Sequence, residues 1–168
     1  NMLQMLLNTN SHYAYTKGMF KVAYDPKENR FVYLISHEDK IIGAVGRALG
    51  KSTYKVKNYY VSDIPFNCGS GSCAVLVEDC ASACSVASDT RFTGIALLGT
   101  NLNYSYIPFI SKYQKVIIAL DKDALKKAVD IKQKLAYYCS DISILVLDKD
   151  LKDMTKEEVR DICFQDVL

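Results

Sequence analysis

A chain of 168 residues with an apolar share of 49% has material for one globular core, and a net charge of +2 excludes a protein drawn to nucleic acid or membrane by its overall field. No apolar stretch is long enough to span a bilayer and no basic-then-apolar leader opens the chain, so no membrane partner and a reducing, cytoplasmic setting are expected. The chain opens on Asn1 rather than Met, as a piece of a longer protein would.

Residues 1–20, NMLQMLLNTNSHYAYTKGMF, pattern as a short apolar helix and a polar connection. Arg30–Ser36 and Lys40–Arg47 then form two strands around a turn at His37–Asp39, and Thr53–Tyr60 a third. Their connections are too short for crossover helices, so this half is antiparallel. Between Lys40 and Ser62 there is no acidic residue, while Lys40, Arg47, Lys51, Lys55 and Lys57 alternate with Tyr54, Tyr59 and Tyr60. Such a face can track phosphates and stack bases; the competing reading is a solvated strand face whose tyrosines pack. The Gly/Ser passage FNCGSGSC, Phe66–Cys73, marks a boundary. Residues 1–70 are then a basic subdomain, 71–154 a second domain and 155–168 a C-terminal helix.

Beyond the boundary the rhythm changes. Ala74–Val77, Gly94–Leu98, Val116–Leu120 and Ile142–Leu147 are apolar runs that suit strands buried on both faces. Helices are expected at Asp79–Ser88, around Tyr104–Lys112, at Ala124–Tyr138 and from Thr155, where Thr155 and Glu158 make a capping box. Alternation of this kind implies βαβ units and a parallel sheet. Cys68, Cys73, Cys80 and Cys84 are spaced C-x4-C-x6-C-x3-C, unlike the paired C-x2-C of a zinc ribbon, and Cys80 and Cys84 read as small hydrophobes one helical turn apart. His12 and His37 sit in polar connections and read as surface residues.

Acids punctuate the strand ends. Glu78 follows the first parallel strand, Asp121 and Asp123 the third, and Asp153 the fourth. Strand ends of a parallel sheet open on one edge, where carboxylates would repel one another unless a cation joined them; hard oxygen ligands suit Mg²⁺ or Mn²⁺. Helix capping is the competing explanation for each Asp. The tetrapeptide LDKD recurs at Leu120–Asp123 and Leu147–Asp150, as two strands ending alike.

VLVED, GIALLGTNL and KVIIALDKDALKKA, in that order, resemble the Toprim domain shared by primases, topoisomerases and some nucleases. IIGAVGRALG and TYKVKN upstream resemble the basic subdomain of bacterial-type and phage DNA primases, which narrows the resemblance to the primase catalytic core across roughly residues 30–155. The resemblance implies an α/β fold: a four-stranded, mainly parallel Toprim sheet flanked by helices, preceded by a small mixed α+β basic subdomain. It implies a nucleotidyltransferase that makes short RNA primers from ribonucleoside triphosphates on single-stranded DNA with Mg²⁺ or Mn²⁺. Residue by residue, Glu78, Asp121 and Asp123 fall on the catalytic and metal positions, Lys152–Asp153 on the pair after the fourth strand, and Arg47, Lys55 and Asn58 on phosphate-binding positions. Lys51 and Lys57 join these as neighbours. A replicative helicase and a zinc-binding module are the partners implied, and a phage or other mobile element the source, with the host cytoplasm as location.

Two departures stand out. Asp79 occupies the place of the family's Gly beside the acidic site, where it either points away or joins the metal as a displaced carboxylate. The segment after Asp123 lacks the family's Ala–Gly–Arg. Both keep open a catalytically weak binding module or a Toprim nuclease; a phosphoacceptor receiver domain is disfavoured by the basic antiparallel half.

Overall fold

The computed structural model describes residues 22–60 and 62–167, so the helix expected within residues 1–20, and His12 with it, lie outside the described part. Four antiparallel strands form the first sheet in chain order: β1 (Val22–Asp25), β2 (Arg30–His37), β3 (Lys40–Ala48) and β4 (Val56–Tyr60). Alternation builds it, with Phe31, Tyr33 and Ile35 of β2 buried and the residues between them wetter. The β2–β3 turn is Glu38–Asp39, and both take left-handed backbone with φ 49° and 62°, the hairpin geometry that matches strand twist. Strand β1 pairs with β2 from Val22↔Tyr33 to Asp25↔Arg30, and periodicity had not picked it out because four residues are too few to show a period. The third expected strand begins at Val56, later than Thr53, because the residues before it are claimed by Arg30. That guanidinium, 5% exposed, donates to the Tyr54 carbonyl (2.9 Å), the Lys55 carbonyl (3.4 Å) and the Ser52 hydroxyl (3.1 Å).

The second sheet has five strands: β5 (Asn67–Cys68), β6 (Cys73–Val77), β7 (Phe92–Ala96), β8 (Lys115–Asp121) and β9 (Ile142–Leu147), in the order β5-β7-β6-β8-β9. The last four are parallel as expected; β5 adds an antiparallel edge on β7. The Gly/Ser passage therefore feeds into this sheet. Phe66 sits edge-on to Tyr33 at 5.3 Å between centroids, and its carbonyl accepts from Ala96 N–H at 3.0 Å, fastening the first sheet to the second.

Period-2 alternation sends the inner strands' side chains to two cores. Val75, Val77, Ile117 and Ala119 join helix α1 (Cys80–Val86) and Phe31, Tyr33 and Ile35 of the first sheet. Ala74, Leu76, Val116, Ile118 and Leu120 join α2 (Ile107–Ile110) and Ala128, Ile131 and Leu135 of α3 (Leu125–Leu135). Each fully buried large side chain contributes roughly 2 kcal/mol. Helix α1 is built of small residues, so it lies directly on β7: a Cβ at Gly94 would fall 2.2 Å from the Ala83 carbonyl oxygen. Helix α4 (Lys156–Val167) closes the described chain, with Glu158 N–H donating to Thr155 Oγ1 at 3.2 Å.

Strands β6 and β8 are neighbours, yet the chain leaves β6 for a helix on one face and β8 for a helix on the other. Such a divergence opens a crevice at the carboxyl ends of the two strands.

Candidate active site

A cleft of about 450 Å³ lies at that crevice, walled by the parallel sheet's carboxyl edge on one side and by β3 and the start of β4 on the other. Glu78 reaches it because β6 ends at Val77; the side chain is exposed and its carbonyl accepts from Gly99 N–H at 3.1 Å. Leu98 and Gly99 both take positive φ, 61° and 144°, which turns the loop after β7 tightly over the edge.

Asp121 is the last residue of β8, in register with Leu147. Its carboxyl and that of Asp150 line the same cleft. Burial, the neighbouring Asp150 carboxyl and the Glu78 charge push its pKa up to about 6, against the opposing pull of Lys152. Asp150 is half-buried and opens a short 3₁₀ turn, Leu151–Asp153, anchored by Leu151 at 1% exposure.

Asp79 caps α1, accepting from Ser82 N–H at 2.8 Å through Oδ1. Its other oxygen accepts from Lys152 Nζ at 2.7 Å. Burial works against the charged carboxylate, but the Lys152 ammonium and the Ser82 amide outweigh it and hold Asp79 below its ordinary pKa. Burial likewise opposes charge on Lys152, and Asp79 and Asp150 outweigh it upward.

The opposite wall supplies Arg47, near the end of β3, and Lys55, in the loop pinned by Arg30. The structure thus brings Arg47, Lys55, Glu78, Asp79, Asp121 and Lys152 around one cleft. It places the other candidates outside that lining. Asp123 and Asp153 are exposed members of 3₁₀ turns. Lys51 and Asn58 are exposed, and Lys57 is ion-paired to Glu28 and lies 4.7 Å over the Tyr59 ring. Sequence reasoning missed Asp150, although the LDKD echo contained the signal.

Two carboxyl groups lining one cleft, with the proton affinity of Asp121 raised by burial and by Asp150 beside it, suit a hard divalent cation, which would relieve the repulsion. Asp121 and Asp150 fit such an ion by donor chemistry. Asp79 fits it poorly, since both its oxygens are engaged. Among the described residues, no three His, Cys, Asp or Glu side chains form a ready metal cage.

Solved structures share this fold. The primase of Aquifex aeolicus, solved as zinc-binding and RNA polymerase domains, superposes with TM-score 0.66 at 20% identity, over 86% of this chain and 44% of that one. The chain has the fold of a primase catalytic core. A DNA primase domain from Pseudomonas aeruginosa matches at TM-score 0.63 and 14% identity, over 86% of this chain and 56% of its own. A DnaG primase catalytic domain solved bound to ssDNA matches at 0.61 and 17%, with the same coverages. The chain spans about half the length of these solved primases. No protein-family model and no curated protein matches the chain. The primase-core fold accounts for both halves: a Toprim-type parallel sheet carrying the acids, and an antiparallel basic sheet facing it. Among the described residues no helix is long and apolar enough to cross a membrane.

Proposed function

We propose that the chain is the catalytic core of a DNA primase, making short RNA primers from ribonucleoside triphosphates on single-stranded DNA. The observation that carries this reading is that Arg47 and Lys55 line one wall of a cleft whose other wall carries Asp121 and Asp150. Asp121 and Asp150 would hold a divalent ion, which would supply charge stabilisation at the reacting phosphate oxygens. This chain's own residues do the rest. Arg47 and Lys55 hold triphosphate or template phosphates opposite the acids. Glu78, exposed at the mouth, is placed to take the proton of an attacking 3′-hydroxyl or to lend a further oxygen to the ion. The exposed Tyr54 and Tyr60, 71% and 68% accessible, offer flat faces to template bases beside the basic wall. Single-stranded DNA, a zinc-binding module and a replicative helicase are the partners that fit this role.

A second reading, a nucleic-acid-binding module without chemistry, is favoured by one observation: Asp79, where the resemblance calls for Gly, is locked to Lys152 beside the acids. Incorporation of labelled ribonucleotides on single-stranded DNA in Mn²⁺ separates the two. Short products from wild type and none from Asp121→Asn support the primase; DNA binding without products from wild type supports the module.

A further inference from the structure

We propose that Lys152 is the resident cation of the acid edge, its ammonium standing between Asp79 and Asp150 where a second divalent ion would otherwise sit, so that the cleft binds a single divalent ion at Asp121 and Asp150. The inference rests on the metal-dependent reading above.

The geometry is specific. Lys152 Nζ is 2.7 Å from Asp79 Oδ2 and 3.5 Å from Asp150 Oδ2, so one ammonium bridges carboxylates that arise from the ends of different strands. All three groups are held from behind. Asp79 is fixed by capping α1 through its other oxygen. Asp150 and Lys152 flank Leu151, whose burial in the core anchors their turn. The Lys152 side chain is only 16% exposed, and that of Asp79 26%, which limits how far water can replace the contact. A flexible surface lysine contributes little in such a place; one held between two carboxylates at a partly desolvated edge balances their charge directly.

Charge and donor type then give the consequence. Removing the ammonium leaves Asp79 Oδ2 and an oxygen of Asp150 facing a cation-sized gap lined by hard oxygen, the donor set that divalent ions of the Mg²⁺ class take. The edge would pass from one internal plus one external cation to two external ones.

The test is the stoichiometry of Mn²⁺ binding to the purified chain, followed by the paramagnetic resonance of free Mn²⁺ and by calorimetry, for wild type, Lys152→Met, Lys152→Gln and Lys152→Arg. One ion is expected for wild type and Lys152→Arg, and two for Lys152→Met. Lys152→Gln keeps a hydrogen bond to Asp79 without the charge and is also expected to bind two, so it serves if circular dichroism shows the Met variant unfolded. Two ions in wild type, or one in the neutral variants, overturns the proposal while leaving the metal-dependent reading intact. No ion in wild type overturns both.

Discussion

The two sheets handle charge in opposite ways. In the antiparallel sheet the charges around β1 are matched: Lys57 and Arg30 both pair with Glu28, and the Tyr59 hydroxyl donates to Asp25. These bonds hold Asp25 and Glu28 below the ordinary carboxylate range, with Tyr59 the largest influence on the first and Lys57 on the second. At the edge of the parallel sheet, Asp121 is pushed the other way by burial and by Asp150. Charge in the first region serves the fold. At Asp121 it opposes the fold, and such a cost at a cleft marks a site shaped for chemistry.

The largest expected effect comes from neutralising the crowded acid. Asp121→Asn is expected to lower primer synthesis at least about a thousandfold, on the order of 4 kcal/mol of transition-state stabilisation. It should nevertheless raise the melting temperature above pH 7. The direction follows from the raised pKa. Between the unfolded value of 3.8 and about 6, folded Asp121 holds a proton that the unfolded chain releases. Its favourable contribution is therefore complete below pH 4 and lost as pH rises through about 6. Thermal melts from pH 4 to 8 should show that loss in wild type, on the order of 1 kcal/mol after allowing for solvent exposure, and a flatter profile in the variant. A steeper profile in Asp121→Asn would contradict the assignment of the strain to this pair.

Removing a charge from the well-paired region should do the reverse. Arg30→Met leaves Glu28 and the Tyr54 and Lys55 carbonyls without their buried donor, and is expected to cost about 3 kcal/mol in urea denaturation. Lys55→Ala removes an exposed side chain that makes no ion pair among the described residues, so its effect should be on binding alone. The log–log salt dependence of single-stranded DNA affinity should fall by about one phosphate contact with the melting point unchanged. The smallest effect belongs to Lys57→Ala. This exposed pair with Glu28 is expected to move the melting temperature by less than about 2 °C and to leave the salt slope alone. A salt slope changed by Lys57→Ala would return that lysine to the phosphate-binding face.

Much of the fold was legible because hydrophobic period is a local property. The apolar runs at Ala74–Val77, Val116–Leu120 and Ile142–Leu147 locate three parallel strands to within a residue, and alternation locates β2 and β3. Glu78 and Asp121 were legible for the same reason, as the first acids after buried strands. Asp79 was legible as an anomaly but not in its outcome, since its partner lies 73 residues away. The short strands β1 and β5 were not, since their pairing partners, and not their own patterns, hold them in place.

The repeated LDKD divides what each level decides. From sequence alone, both copies end a buried strand with acids at a sheet edge, and that much is local. Which acid faces the cleft is not. In the first copy β8 runs on to Asp121, which stays paired in register with Leu147, and the following 3₁₀ turn leaves Asp123 exposed. In the second copy β9 stops at Leu147, Asp148 is exposed, and burial of Leu151 draws Asp150 inward to meet Asp121 and Lys152. Identical tetrapeptides give opposite answers because strand length and side-chain direction are set by the neighbouring strand and by the core behind the turn, which only the tertiary structure assembles.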